Sequence, residues 1–150
     1  MKPKEILVFG ATGHLGKNLL RKLTRNNYKV TAVTRNIHRK GYMLKKSGNA
    51  GWIDIVELES FNYERLKEIF KNKDICINLV GILNEKNKSS FYNMHSLLPK
   101  ALAKISKENN LEQFIHISAL GIEDALESKY ASSKLDGEIE VKKIFKNHTI

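Results

Sequence analysis

The sequence predicts a doubly wound α/β fold, a parallel sheet with helices on both faces, in one domain over residues 1–150. Three observations lead to this prediction. A glycine-rich turn directly follows an apolar strand, strand and helix patterns alternate along the whole chain, and one central strand is apolar nearly throughout. A hydrophobic content of 41% in 150 residues suits a single core.

The alternation of elements locates the region where function is expected. Strands are predicted at 5–9, 28–33, 52–56, 74–80 and 113–118, with 148–150 opening a sixth. Helical spacing of apolar residues begins at Leu15 and returns at 62–70, 90–108 and 128–145. Ligands of doubly wound sheets bind beyond the carboxyl ends of the strands, where the winding reverses. We therefore expect function at the ends of the first, second, fourth and fifth strands.

The segment FGATGHLG, residues 9–16, has three glycines between the first strand and the first helix. Gly10 permits a tight turn, Gly13 lets the backbone approach a phosphate, and Gly16 lets the helix lie against the strand. Backbone N–H groups and the helix dipole at this end suit a diphosphate. The pattern predicts a dinucleotide site, and a glycine turn without a ligand stays open as the alternative.

The residue that ends the second strand distinguishes the two dinucleotides. An acid there accepts hydrogen bonds from a ribose 2′-hydroxyl, whereas a basic residue suits a 2′-phosphate. The position is held by Arg35, in the segment AVTRNIHRK without a carboxylate nearby. This favours NADP(H) over NAD(H), and the alternative is that Arg35 only belongs to a solvated turn.

Tyr130 and Lys134 are the candidate reactive pair, because they are one helical turn apart in KYASSKLDGE. A Tyr beside an ammonium group suits general acid–base chemistry. Spacing alone does not single out this pair, because Tyr42 and Tyr63 also have a Lys four residues on. Location does, since the pair follows the fifth strand and lies behind Ser118, at the carboxyl end of that strand. We expect Tyr42, in the loop after the second strand, and Tyr63 to be surface residues.

Composition excludes several classes of function. Cys76 is the only cysteine and is expected to be buried and inert, so neither a disulfide framework nor a thiolate metal site is predicted. His95 and His116 lack Cys or carboxylate neighbours at ligand spacing, so no metal site is expected. The net charge is +10, but the 21 Lys look scattered along the chain, and nucleic-acid binding is not expected.

The polar segment 84–90 is predicted to be a solvated loop or a lid over the cofactor site.

Four segments, FGATGHLG, INLVGIL, FIHISALG and KYASSKLDGE, stand in the order typical of one superfamily. Over nearly its whole length the chain resembles the extended and atypical short-chain dehydrogenase/reductases, which include NAD-dependent epimerase/dehydratase-like and NmrA-like proteins. The last three segments are most similar to the branch containing the NADPH-binding accessory subunit of respiratory complex I and its bacterial relatives. The resemblance implies a Rossmann fold. The single cysteine and the absence of a signal-peptide pattern predict a cytoplasmic location, peripheral to the inner membrane if the chain is such a subunit.

The resemblance also implies a site. Its cofactor-binding residues would be Gly10, Thr12, Gly13, His14, Leu15, Gly16, Arg35, Glu57, Leu58, Val80, Gly81 and Lys134. Ser118 would polarise a substrate carbonyl or hydroxyl, Tyr130 would exchange the proton, and Lys134 would bind the nicotinamide ribose. Glu57 and Leu58 stand where many relatives have an Asp-Leu pair that contacts adenine.

Two functions follow from the resemblance, and both stay open. The first is an NADP(H)-dependent oxidoreductase or epimerase that uses Ser118, Tyr130 and Lys134. The second is a nucleotide-binding accessory or assembly subunit of a respiratory complex. Relatives continue past the position of Ile150 into a substrate-binding region, so we expect either a fragment of a longer protein or a chain without its substrate half. A half pocket open to water weakens charge stabilisation, which favours the second function.

Overall fold

The fold is a six-stranded parallel sheet with the strand order β3-β2-β1-β4-β5-β6, as seen in a computed structural model that describes residues 2–86 and 89–150. The strands are β1 (Glu5–Phe9), β2 (Lys29–Thr34), β3 (Ile53–Glu57), β4 (Ile75–Asn78), β5 (Gln113–His116) and β6 (His148–Thr149). The winding reverses between β1 and β4, which pair in parallel with Leu7 opposite Cys76. The predicted fold class is confirmed.

Within the described part of the chain, five α-helices join these strands. They are α1 (His14–Arg25), α2 (Ile37–Lys45), α3 (Tyr63–Phe70), α4 (Leu98–Glu108) and α5 (Lys129–Ile144), with a π-helical segment at Tyr92–Leu97 and a short 3-10 turn at Ile122–Asp124. The first strand has the predicted bounds. The other predicted elements are shifted or shortened by one or two residues at their ends, apart from the helix predicted at 90–108. The predicted lid or loop at 84–90 includes residues 87 and 88, which lie outside the described residues.

The sheet divides the buried hydrophobic residues into two clusters, one on each face, instead of the single core expected from composition. These two cores assign the helices to two layers. Side chains alternate along a strand, so Ile6 and Val8 of β1 face one layer while Leu7 and Phe9 face the other. The first core contains Leu20 of α1 and Leu44 of α2. The second core contains residues of α3, α4 and α5, among them Leu66, Leu102 and Val141. The loops that follow β1 and β4 meet at one edge between these layers.

Helix α2 corrects the prediction that Tyr42 lies in a loop. Asn36 is the N-cap of this helix, and its side-chain oxygen accepts a hydrogen bond of 2.8 Å from the backbone N–H of Arg39. Gly41 and Leu44 are buried on its inner face, although a glycine inside a helix is unfavourable by propensity. Burial against β2 and β3 therefore decides this helix. The Tyr42 ring is 73% exposed, in agreement with the predicted surface position.

The long helix predicted at 90–108 has two parts. Its first part is the π-helical segment Tyr92–Leu97, and its second part is α4. The wider turn of a π-helix is uncommon and frequent at functional sites. Here it brings His95 to a fully buried position between the loop after β4 and helix α5.

Candidate functional site

The main cleft opens at the carboxyl ends of β1, β2, β3 and β4, around the point where the winding reverses. The residues that line it are Phe9, Gly10, Thr12, Gly13, Val33, Thr34, Arg35, Leu58, Phe61, Leu79, Val80, Gly81, Ile82 and Met94. This is the edge of the sheet at which function is expected from the topology alone. An apolar groove between α3 and the π-helical segment shares Arg35, Phe61 and Met94 with this cleft.

Two of the three glycines are required by the fold itself. Gly10 has a φ of +78°, and a Cβ there would lie 2.8 Å from the backbone carbon of Leu79. A Cβ on Gly16 would lie 2.4 Å from the carbonyl oxygen of Ala11. No side chain fits at such distances, so Gly10 brings β1 close to the loop after β4, and Gly16 brings α1 close to the end of β1.

Gly13 is different, because protein atoms do not exclude a side chain from it. The nearest atom to a Cβ there would be the Gly10 carbonyl oxygen at 3.4 Å, which is ordinary van der Waals contact. Gly13 is the exposed N-cap of α1, where no side chain caps the helix. The first backbone N–H groups of α1 therefore have no side-chain cap, and Gly13, just before them, lines the cleft. This cradle suits a phosphate group, and a Cβ would occupy part of the space.

Arg35 stands at the end of β2 with an exposed side chain that lines the cleft. Within the described residues its guanidinium forms no ion pair and no hydrogen bond to a side chain. The turn that presents it is fixed from below, since the Glu57 carboxylate accepts a hydrogen bond of 2.7 Å from the backbone N–H of Ile37. Leu58 N–H donates to the carbonyl of Thr34 at 2.8 Å. A turn held by two hydrogen bonds thus places Arg35, which has no side-chain partner among the described residues, at the cleft.

The cleft contains seven of the twelve residues that the resemblance assigns to the cofactor: Gly10, Thr12, Gly13, Arg35, Leu58, Val80 and Gly81. The other five lie outside its lining. His14 and Leu15 are exposed in the first turn of α1, Gly16 is buried beneath it, and the Glu57 carboxylate is occupied by Ile37. Lys134 lies behind the cleft wall, since its Nζ is 3.5 Å from where a Cβ on Gly81 would stand.

The loop after β4 is held by two buried polar contacts. The Val80 N–H donates to the Asn78 side-chain oxygen at 3.1 Å, and the Ile82 N–H donates to His95 Nε2 at 3.0 Å. The Asn78 amide nitrogen in turn donates to Nδ1 of His116, 3.1 Å away. Both backbone groups that flank Gly81 are therefore fixed from beneath the cleft.

Tyr130 and Lys134 lie on α5, as predicted. The Tyr130 ring packs edge-on against His95, with ring centroids 5.2 Å apart, and edge-on against Phe91 at 5.8 Å. Lys134 is buried, and its ammonium donates to the carbonyl of Ile117 at 3.2 Å. Burial lowers the pKa of Lys134 and the charge of Glu138 raises it, with burial the larger effect. Lys134 therefore connects α5 to the end of β5.

Ser118 does not line the main cleft. It borders a second depression, together with Ile117, Glu138, Lys142 and His148. The Ser118 hydroxyl is buried and has no hydrogen-bond partner within the described residues. A buried hydroxyl without a partner is unusual in a folded protein.

The distribution of charge differs from the scattered pattern expected. Residues 6–53 contain six Lys and four Arg but no Asp or Glu. The net charge of this segment is therefore +10, the same as that of the whole chain. The Lys and Arg side chains of α1 and α2 form no ion pair within residues 2–86 and 89–150. Since these helices share one layer, that side of the protein is strongly basic. Such a field attracts anionic ligands.

Several site residues were not predicted from the sequence. Phe61 and Met94 line the cleft, and Asn78 and His95 hold its wall. Phe61 follows β3, so the rule that ligands bind at carboxyl ends could have indicated it. For His95 the sequence carries no signal, because its partners are 13 and 38 residues away.

The described residues contain neither a cluster of metal ligands nor a membrane-spanning helix. Among residues 2–86 and 89–150, no group of three or more His, Cys, Asp and Glu side chains is arranged to hold a metal ion. Within the same ranges no helix has the length and apolar character needed to cross a bilayer.

The chain is similar in sequence to subunits of a respiratory enzyme. It is 29% identical over 143 residues to the mitochondrial NADH-ubiquinone oxidoreductase 40 kDa subunit of Neurospora crassa, covering 95% of this chain and 38% of that protein. It is 31% identical over 138 residues to NADH dehydrogenase (ubiquinone) 1 alpha subcomplex subunit 9, mitochondrial, of Mus musculus, covering 92% of this chain and 37% of that one. The chain thus spans less than two fifths of either relative.

A solved structure confirms the fold. An NAD-dependent epimerase/dehydratase-type protein from Bacillus halodurans superposes with a TM-score of 0.80 at 20% identity, over 97% of this chain and 67% of that one. The model of the NmrA-like family matches residues 2–150. Because the family model matches nearly the whole chain, this chain belongs to the NmrA-like family of the extended short-chain dehydrogenase/reductase superfamily. The glycine turn and the reversal of the winding between β1 and β4 agree with this assignment.

Proposed function

We propose that this chain binds NADP(H) in the main cleft and serves as a nucleotide-binding accessory or assembly subunit of a respiratory NADH:quinone oxidoreductase. The observation that supports binding most directly concerns Gly13, the exposed N-cap of α1. The described residues leave the space beside its Cα open, where a phosphate group would fit. The pyrophosphate would lie against the N-terminus of α1, between Gly10–Gly13 and the loop after β4.

The preference for NADP(H) rests on Arg35. Arg35 lines the cleft at the end of β2, where a 2′-phosphate would lie, and its guanidinium has no acidic partner among the described residues. The one carboxylate that ends a neighbouring strand, Glu57, is engaged by the Ile37 N–H and is therefore not free to accept from a ribose 2′-hydroxyl through that oxygen.

The accessory role rests on the relatives, whose names place them in mitochondrial NADH dehydrogenases. A position at a membrane, peripheral to such a complex, belongs to the same proposal. The test is co-sedimentation of the tagged chain with membranes of the cells that encode it, followed by native electrophoresis. Co-migration with NADH:quinone oxidoreductase activity supports the role, and a chain that runs only as free protein contradicts it.

The binding test is a parallel titration of the purified chain with NADPH and NADH, followed by ligand fluorescence and by melting temperature. We expect NADPH to bind more tightly and to raise the melting temperature, since a ligand that binds only the native state stabilises it. Equal affinity for the two would contradict the role of Arg35. Binding of neither would contradict the cleft as a nucleotide site.

The second candidate function is an NADP(H)-dependent oxidoreductase or epimerase. The observation that favours it is the Ser118 hydroxyl, which is buried without a partner. In this function Ser118 orients the substrate oxygen, Tyr130 exchanges its proton, and Lys134 binds the nicotinamide ribose, while the bound nicotinamide supplies the hydride chemistry. Tyr130→Phe would then abolish turnover and keep NADPH affinity. No turnover by the unaltered chain with any carbonyl substrate tried would favour the accessory role.

A further inference from the structure

We infer that His95 is a positioning residue of the nucleotide cleft, which ties the Val80–Ile82 segment of the cleft wall to the helix that carries Tyr130 and Lys134. The inference rests on the proposed nucleotide binding. His95 does not line the main cleft and is fully buried, so any effect it has on a ligand there passes through the groups that it holds.

The first contact of His95 is with the cleft wall. Its Nε2 accepts a hydrogen bond of 3.0 Å from the backbone N–H of Ile82. Ile82 and Gly81 both line the cleft, and the N–H of Val80 is held by Asn78 at 3.1 Å. With both contacts in place the segment has little freedom to turn, because each flank of Gly81 is bound to a buried side chain.

The second contact is with α5, and it fixes the position of the imidazole proton. The Ser133 hydroxyl donates its only proton to the carbonyl of Tyr130 at 2.8 Å. Ser133 Oγ lies 3.0 Å from His95 Nδ1 and therefore accepts the proton that Nδ1 carries. The ring is thus neutral, donates to α5 through one nitrogen and accepts from the cleft wall through the other.

Packing around the ring holds this arrangement in place. The imidazole stacks on Phe91 with centroids 5.4 Å apart and meets the Tyr130 ring edge-on. On the backbone side, a Cβ on Gly137 would lie only 1.9 Å from the His95 carbonyl oxygen, so α5 and the π-helical segment are in direct contact. Burial and the charge of Lys134 lower the pKa of His95 to about 4, which keeps the neutral form at ordinary pH.

The two hydrogen bonds can be separated by substitution. In His95→Gln the longer side chain places its oxygen near the position of Nε2 and keeps an acceptor for Ile82. In His95→Asn the shorter side chain places its nitrogen near the position of Nδ1 and keeps only the donor to Ser133. Because Ile82 belongs to the cleft wall, we expect His95→Gln to bind NADPH nearly as tightly as the unaltered chain. We expect His95→Asn to bind it about tenfold more weakly or worse.

The hydrogen bonds from Ile82 to His95 and from His95 to Ser133 form a relay that can be tested without nucleotide, separately from the proposed function. Amide hydrogen exchange of Ile82 in the free protein should be slow in the unaltered chain and in His95→Gln, and fast in His95→Asn. If Ile82 exchanges fast in the unaltered chain, the relay does not exist, whatever NADPH does. If the relay holds and NADPH does not bind, the proposed function fails and the effect of His95 on a ligand fails with it.

Ser133→Ala and Ser106→Ala form a matched pair of controls for general loss of stability. Both hydroxyls are buried and donate to a carbonyl of their own helix, but Ser106 lies on α4 and does not contact His95. We expect both variants to lower the melting temperature and only Ser133→Ala to weaken NADPH binding, because without the Ser133 acceptor the imidazole proton is no longer held on Nδ1 and Nε2 stops accepting from Ile82. The Gln oxygen of His95→Gln accepts from Ile82 whatever Ser133 does. Equal losses of NADPH affinity in the two, or in His95→Gln and His95→Asn, would overturn the inference.

Discussion

A Cβ on Gly16 would lie 2.4 Å from the carbonyl oxygen of Ala11. Helix α1 therefore packs against the turn after β1 so closely that only glycine fits at position 16. Three residues earlier, Gly13 has no such neighbour, and its nearest contact would be at 3.4 Å. The two glycines of one motif thus have separate purposes. Gly16 is required for packing, and Gly13 leaves space for a ligand.

This difference predicts opposite outcomes for the same substitution. Gly16→Ala should lower the free energy of unfolding by about 2 kcal/mol or more, because the backbone must move to admit the methyl group. Gly13→Ala, at a φ of −74° that any residue adopts, should change it by less than about 1 kcal/mol and weaken NADPH binding about tenfold or more. Urea unfolding and NADPH titration measure the two quantities. A stable Gly16→Ala variant would contradict the close contact.

Arg35→Ala should weaken NADPH binding by about 10- to 100-fold and leave NADH binding unchanged, because it removes charge-assisted hydrogen bonds to the 2′-phosphate only. Arg39→Ala is the matched control, since this Arg is exposed on α2 and does not line the cleft. Titrations at two salt concentrations separate direct contact from the general basic field. Equal losses for both nucleotides would contradict a 2′-phosphate contact.

The buried imidazoles of His95 and His116 predict that stability falls as pH decreases below about 6.5. Burial is the main cause that lowers the pKa of each to about 4, against an ordinary value of 6.5. Between these values the unfolded chain binds protons that the native chain does not, so the free energy of unfolding rises with pH. Each group contributes at most about 1.4 kcal/mol per pH unit.

Urea unfolding between pH 5 and 7.5 tests this prediction. A variant that combines His95→Gln and His116→Gln lacks both groups, so its stability should depend less steeply on pH over that window. The His116 substitution also removes an Nε2 that has no partner within the described residues. The same slope in the variant and the unaltered chain would show that other groups cause the dependence.

Cys76 should react with thiol reagents only when the protein unfolds. The side chain is fully buried in β4, and burial raises the pKa of its thiol far above the ordinary value. Labelling under native conditions should therefore follow the rate or population of unfolding, and saturating NADPH should slow it further. Ser106→Ala, next to this thiol, should speed labelling in proportion to its loss of stability. Rapid labelling of the native chain would contradict the burial of Cys76.

Much of the fold could be predicted from the sequence because its signals are local. An apolar run followed by FGATGHLG specifies β1, the turn and α1 together, and β1 has the predicted bounds Glu5–Phe9. Helix α2 was missed because Gly41 interrupts its pattern, although Asn36 is a residue type that favours the N-cap. The charge of residues 6–53 was also present in the sequence, but its concentration matters only once α1 and α2 are known to share a layer.

The sequence by itself determined the alternating fold, the glycine turn and the position of Arg35, since each depends on residues adjacent along the chain. Only the tertiary structure decided which side chains share the cleft. It placed Ser118 in a separate depression, Lys134 behind Gly81, and His95 between Ile82 and Ser133. The physical reason is that these contacts join residues 13 to 53 positions apart. Hydrogen bonds and packing of that kind form only after the sheet and its two helical layers have assembled.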